Sequence, residues 1–262
     1  MRALAAALLL LFAARQSQPR ALRVCADPNN LPFSDSAGSG FENKIAELVA
    51  RDLHASLAYT WWPQRRGFVK RTLGANDCDV VIGVPVGYDL VMTTRPYYRS
   101  GYVFLSRRDR GYALQSLDDP LLRGLKVGVS LIGSHYQNTP PGDALAERGI
   151  VANVVGIPVY GDYERQGARP EIIGAVARGE VDVAIVWGPT AGYWAKRDRV
   201  PLAIAPIISS GRDSARVPMR FDMAMGVRKK DDALRATLDS IIVHRQHEIG
   251  AILESYAVPR VP

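Results

Sequence analysis

Hydrophobic and polar positions along the chain alternate between two periods. Leu22 to Ala26 is a short apolar run, and Asp27-Pro28-Asn29-Asn30-Leu31-Pro32-Phe33-Ser34 is dense in turn formers, so the pair predicts a strand and a loop. Ile45, Leu48, Val49 and Leu53 then recur at helical spacing, with Glu42 and Glu47 toward the N-terminal half. Leu57 to Trp61 predicts a second strand. Pro63 suits the first turn of a helix running through Phe68, Val69, Thr72 and Leu73, and Cys78 to Gly83 predicts a third, buried strand. Such a β-α-β-α-β order implies a parallel sheet with right-handed crossovers.

The same grammar returns further on: a strand at Lys126–Ser130, a helix at Gly142–Arg148, a strand at Val151–Gly156, a helix at Pro170–Ala177 and a strand at Val181–Trp187. Arg71-Thr72-Leu73-Gly74-Ala75-Asn76-Asp77-Cys78-Asp79-Val80-Val81-Ile82 and Ala175-Val176-Ala177-Arg178-Gly179-Glu180-Val181-Asp182-Val183-Ala184-Ile185 share a pattern of helix end, glycine, aspartate and buried strand. Two similar lobes are the simplest account. Tyr102–Ser106 and Asp222–Val227 read as strands that carry the chain from one lobe to the other and back, and helices at Asp231–His244 and Arg245–Tyr256 rejoin the first. The expected fold class is α/β with two lobes, each a mostly parallel sheet flanked by helices: residues 22–107 with 222–262 form one and 108–221 the other. Its cleft belongs at the carboxyl ends of the strands.

Composition and charge add a compartment. Ala3 to Ala14 is uncharged and stands between Met1-Arg2 and Arg15-Gln16-Ser17-Gln18, the pattern of a secretory signal peptide over residues 1–21. The run is too short for a bilayer span, which needs about 20 apolar residues. Export to the periplasm is therefore expected, with the mature chain starting near Leu22. Losing Arg2, Arg15 and Arg20, and no acid, lowers the net charge from +7 to +4. That excess, without a lysine-arginine run, does not call for nucleic acid, whereas an acidic protein partner suits it. In an exported chain the two cysteines, Cys25 and Cys78, read as one disulfide. Cys25 is not expected to be lipidated, because Leu22-Arg23-Val24 lacks the small residues of a lipoprotein signal.

Catalytic signals are thin. Gly128-Val129-Ser130-Leu131-Ile132-Gly133 carries one residue too many for G-x-S-x-G, and Ser134-His135 reads better as a helix start whose free amides face an anion. His244 and His247 lie one turn apart with no third ligand on their face. There is no P-loop and no dinucleotide fingerprint. No catalytic residue, metal or resident cofactor is expected, and a hydrolase reading has the least support.

The residues do resemble a family. Leu31-Pro32-Phe33 after the first strand, Gly40-Phe41-Glu42 opening the first helix, Asp79, Arg95-Pro96-Tyr97-Tyr98 before the crossing strand, and Pro189 with Tyr193-Trp194 are similar to type II periplasmic solute-binding proteins of the amino-acid-binding kind. That resemblance implies an arginine after the third strand for the ligand carboxylate and an aspartate in the second lobe for its ammonium. Here the first place reads Gly83-Val84-Pro85-Val86-Gly87-Tyr88-Asp89 and the second aligns with Trp187. Losing both would strip a zwitterion of the charge-assisted hydrogen bonds it needs on leaving water.

A narrower branch is closer. "CADPNNLPFS", "GFENKIAELVARDL", "YTWWPQRRGFVKRTL", "CDVVIGVPVGYDLVMTTRPYYRS" and "VDVAIVWGPTAGYW" resemble the quinoprotein-dehydrogenase-associated binding-protein-like family. These are the J proteins encoded beside periplasmic methanol and other alcohol dehydrogenases that use pyrroloquinoline quinone (PQQ). The resemblance implies a non-catalytic accessory that assists assembly or activation of the dehydrogenase, with that enzyme or its cytochrome c as partner. The alternative is a transport receptor for a small solute that is not an amino acid. Candidate cleft residues are Asp27, Asn29, Asn30, Phe33, Trp62, Arg65, Arg66, Tyr88, Ser134, His135, Trp187 and Tyr193. Strand alternation assigns Trp61 to the core and leaves Trp62, Arg65 and Arg66 for the rim. For Asp27, Asn29 and Asn30 a turn role competes with a cleft role, and for Tyr193 and Trp194 packing under Pro189 does.

Overall fold

The computed structural model describes residues 21–132, 137–159, 165–208 and 217–261; the expected signal peptide lies outside them. The first lobe opens with β1 (Ala21–Ala26), followed by a two-residue ladder of β2 (Asn29–Asn30) and β3 (Ser34–Asp35). Helix α1 (Phe41–Asp52) begins at Gly40, where an added Cβ would lie 2.1 Å from the Phe33 carbonyl oxygen, so only glycine lets the two segments pass. Asn43 Oδ1 accepts from the Gly40 and Asp35 amides at 3.0 Å each, and the helix buries Ile45, Leu48 and Val49. Strand β4 (Ser56–Trp61), the short α2 (Phe68–Arg71) and β5 (Val80–Pro85) complete the unit.

The helix expected from Pro63 is only this one turn. Gly67 sits at φ +91°, a left-handed conformation that breaks a helix, and the residues before it form tight turns, with the Arg65 amide on Pro63 O at 2.7 Å.

After β6 (Met92–Thr93), strand β7 (Tyr98–Arg107) crosses into the second lobe, which contains β8 (Val127–Ile132), β9 (Gln137–Asn138), α3 (Pro140–Glu147), β10 (Val154–Pro158), α4 (Glu171–Arg178), β11 (Val183–Trp187), α5 (Gly188–Ala195) and β12 (Leu202–Pro206). Strand β13 (Arg220–Val227) returns, and α6 (Asp232–His244) and α7 (Gln246–Ser255) pack on α1. The sequence pattern did not yield α5 or β12. The first hides because Gly188 and Pro189 read as a turn, although Pro189 sits in the opening turn of the helix.

The strands run in the order β10-β8-β11-β7-β13-β5-β1-β4. Within each lobe three strands are parallel, β4-β1-β5 and β10-β8-β11, while β7 and β13 join them antiparallel. Each lobe has apolar packing on both faces of its sheet. In the first, Phe41, Ile45, Val80 and Leu238 cluster on one side and Phe68, Leu73, Val81 and the cysteines on the other. In the second, Leu122, Val127 and Leu145 oppose Leu105, Ile173 and Val186.

The repeated aspartate has one job in both lobes. Asp79 donates its amide to Arg23 O (2.7 Å) and accepts from the Arg23 amide (3.3 Å), tying β5 to β1. Asp182 does the same with Lys126, at 3.0 and 2.8 Å, before β11 and β8. Burial alone would raise the Asp79 carboxyl, but Arg23 (2.7 Å) and Arg228 (2.9 Å) outweigh it and hold its pKa below the ordinary value.

Cys25 and Cys78 are bonded, with α-carbons 5.4 Å apart on the adjacent parallel segments. Closing a loop with a sequence separation of 53 stabilises the fold by about 4 kcal/mol on the chain-entropy model. Replacing both cysteines by alanine is expected to lower the urea midpoint accordingly; an unchanged midpoint, or two titratable thiols in the native exported protein, would refute the bond.

Glu42, in the first turn of α1, packs its carboxyl against β5, where a Cβ on Gly83 would lie 2.0 Å from Oε1. Loss of hydration, and then the charge of Asp27, raise its pKa from 4.5 to about 8; Tyr97 and Tyr98 also face it. The native state therefore keeps a proton that the unfolded chain releases above about pH 4.5. Stability should fall as pH rises from about 4.5 to about 8 and then level off. Glu42→Gln should remove that slope in denaturant titrations and leave the variant the more stable protein at neutral pH. Parallel slopes for the two proteins would refute it.

Candidate functional site

A cavity of about 860 Å³ lies between the lobes at the carboxyl ends of the strands. Phe33 and Asn30 reach it from the loop after β1, Arg65 and Arg66 from the turn after β4, and Tyr88 from the segment after β5; Trp187 at the end of β11 faces them from the second lobe. These six are the expected residues that the fold brings together around the cavity.

The other expected residues go elsewhere. Asp27 is 2% exposed, and its carboxylate accepts from the Asn29 amide (2.8 Å) and the Gln64 amide (2.6 Å). It therefore positions the loop after β1 and the Gln64–Arg66 turn, and the cavity wall is built on them. Asn30 Nδ2 on Gln64 Oε1 at 3.0 Å adds a side-chain tie between these loops. Asn29 points across the lobes, toward Arg165 and Gly167. Tyr193 is 8% exposed, stacked on Tyr256 at 5.9 Å with the Arg197 guanidinium 3.8 Å from its ring centre, so packing accounts for it. Ser134 and His135 lie outside the described residues.

The tryptophan pair divides its labour. Trp61 is half-buried, stacked on Tyr59 at 4.4 Å and packed against the first-lobe core. Trp62 is 39% exposed, lies outside the cavity lining and has the Arg71 guanidinium 5.6 Å from its ring centre. Trp187 joins a cluster that the sequence did not disclose: Tyr102 at 5.5 Å and Phe221 at 5.7 Å, both edge-on. Tyr102 is its cross-strand partner on β7, and Phe221 belongs to the returning strand β13. The signal was an aromatic at or beside the start of each strand read from the sequence, Tyr102–Ser106 and Asp222–Val227. Burial pushes the Tyr102 phenol up to about 12, so it stays a neutral hydroxyl in the cavity wall.

The lining is apolar in depth and cationic on one lip. Arg65, Arg66 and Lys70 line the first-lobe wall and are exposed. Across the cavity, Glu171 is paired with Arg178. The exposed apolar side chains of Tyr88, Leu90, Ile132 and Val159 complete the rim. Among the described residues the lining carries no histidine, and no group of three or more His, Cys, Asp or Glu side chains could hold a metal ion. Thr139 Oγ1 donates to Ser130 O at 2.8 Å, so that hydroxyl is occupied by the backbone. Such an arrangement can bind an apolar or aromatic group bearing negative charge. Trp187 closes the second-lobe wall at the end of β11.

No family model matches the chain. It is 32% identical over 263 residues to Protein MoxJ of Methylorubrum extorquens AM1, an alignment covering 95% of this chain and 85% of that protein. The crystal structure of the periplasmic binding protein XoxJ from Methylobacterium extorquens AM1 superimposes with a TM-score of 0.75 at 36% identity, covering 92% of this chain and 99% of that one. MxaJ from Methylophaga aminisulfidivorans MPT gives a TM-score of 0.75 at 26% identity, over 92% and 100% of the two chains. With sequence identity spread over nearly its whole length and a structural match of the same extent, the chain belongs to the MoxJ family of periplasmic-binding-protein-like proteins.

Proposed function

We propose that this protein is a non-catalytic periplasmic accessory of a PQQ-dependent methanol or alcohol dehydrogenase, assisting its assembly or activation by docking through the cleft rim. The MoxJ, XoxJ and MxaJ relatives point to a binding-protein-like chain associated with a methanol dehydrogenase system. The observation that carries the docking reading is the rim, where Arg65, Arg66 and Lys70 stand beside exposed Tyr88 and Leu90 and face Trp187. Aromatic anchors with an arginine edge are the usual composition of a protein interface. A positive lip attracts an acidic partner and speeds its approach. Among the described residues no helix is long and apolar enough to cross a membrane.

The docking test is a periplasmic pull-down of the dehydrogenase with Arg65→Ala/Arg66→Ala and with Trp62→Ala. The exposed arginines should contribute little to folding. Association of the double variant should weaken by roughly tenfold at low ionic strength, about 1.4 kcal/mol, and the difference should shrink as salt shortens the screening length toward about 8 Å at 0.15 M. Trp62, which lies on the outer rim, should matter less. Normal capture and normal growth on alcohol in both variants, with unchanged circular dichroism, would place recognition on another face.

A transport receptor is the second reading, favoured by the fold itself. Calorimetry against the standard amino acids separates the two: no binding at micromolar concentration is expected, because positions 83–89 carry no arginine and Trp187 replaces the aspartate. A micromolar constant for any of them would favour transport.

A further inference from the structure

Asn29 does not face the cavity wall. Its Nδ2 donates to Arg165 O at 2.8 Å and its Oδ1 accepts from the Gly167 amide at 2.8 Å, so one side-chain amide in the first lobe reads a turn of the second like a paired strand. Gly167 takes φ +65°, the left-handed conformation that presents its amide in this turn. Beside it, Gln166 Nε2 donates to Ser36 Oγ at 2.8 Å, and Trp194 Nε1 donates to Leu31 O at 3.4 Å. Asn29 is itself held, by its amide on Asp27 and by pairing with Asp35 in the small ladder, so little side-chain freedom is lost in making the contact.

A second set of contacts spans the lobes. After α7, Tyr256 stacks on Tyr193 of α5, and the next residue runs so close to α5 that a Cβ on Gly192 would lie 1.9 Å from Ala257 O. The segment then accepts from Ser100 Oγ through Pro259 O (2.6 Å) and donates the Val261 amide to Arg99 O (3.2 Å) on the crossing strand β7. The C-terminal segment thus straps the first lobe to the second.

We propose that the protein holds its own lobes closed, with Asn29 as a clasp and residues 256–261 as a strap, so that the cleft is a slot of fixed width. A protein that closes on its ligand needs the ligand to supply the differential contacts that favour the closed state. Here the protein supplies them. A ligand that meets lobes already closed has no closure left to drive, which sets this cleft apart from a trap.

Small-angle scattering of the wild-type protein with nothing added should fit the closed arrangement, and Asn29→Ala/Gln166→Ala should expand it. Gly192→Ala gives an independent route, since it improves helix propensity in α5 while its new Cβ must displace the strap. In that variant the Gly167 amide keeps its acceptor, yet its hydrogen exchange should quicken by roughly tenfold or more if strap and clasp act together. Wild-type scattering that already fits open lobes would overturn the proposal. So would a double variant indistinguishable from wild type, or Gly167 exchange unmoved by Gly192→Ala. None of these measurements involves a dehydrogenase, so their failure leaves the docking reading standing.

Discussion

Each lobe hangs on an aspartate that opens its third parallel strand. By donating the backbone amide to the carbonyl of Arg23 or Lys126 and accepting that residue's amide on the carboxylate, Asp79 and Asp182 fix the register of β5 on β1 and of β11 on β8. Register is the constraint everything else inherits, because a slip of one residue would turn every buried valine of the strand to the other face. Both ties sit at the end of the sheet away from the cleft. They set where the opposite, carboxyl ends finish, and there Gly83, Trp187 and the loop after β1 meet. In the first lobe the clamp reaches further: Arg228 follows β13 directly, so Asp79 also binds the returning strand to the first lobe.

Much of this was legible in the sequence, and the reasons differ by element. The strands could be read because a sheet covered on both faces shows as continuous apolar runs such as Val80–Ile82 and Val183–Val186. The aspartate echo could be read because two lobes need the same tie in the same place. The short α2 was misread because proline promises a helix start, while Gly67 four residues later cancels it through a backbone angle that no periodicity reports. At the site, Arg65, Arg66 and Trp187 could be placed from their position after strand ends. The Tyr102 and Phe221 partners of Trp187 could not, since their meeting depends on an antiparallel register between strands far apart in sequence.

The stretch Trp61 to Gly67 shows how one motif divides among several tasks. Alternation along β4 sends Trp61 toward the core and Trp62 outward, and the Asp27 carboxylate catches the Gln64 amide so that the two arginines project at the cavity. Asp27 resembles a ligand residue in sequence because it follows the first strand. Its burial shows why it is spent on structure: a carboxylate withdrawn from water needs hydrogen-bond donors, and two backbone amides of its own loops supply them.

The cleft of this two-lobed fold is thereby equipped differently from an amino-acid site. An amino-acid site balances the cost of desolvating a zwitterion with fixed opposite charges, and such a balance needs an anion and a cation facing the ligand. Here the positive charge stays on the lip, in Arg65, Arg66 and Lys70, where it remains hydrated and acts at a distance. The interior carries Trp187, Tyr102 and Phe33, and nearby Glu42 is dry enough to keep its proton near neutral pH. Binding energy in such a place comes from apolar and aromatic area, about 25 cal/mol for each Å² withdrawn from water. Those walls suit a side chain presented by another macromolecule, which brings area with it and leaves its charges at the rim.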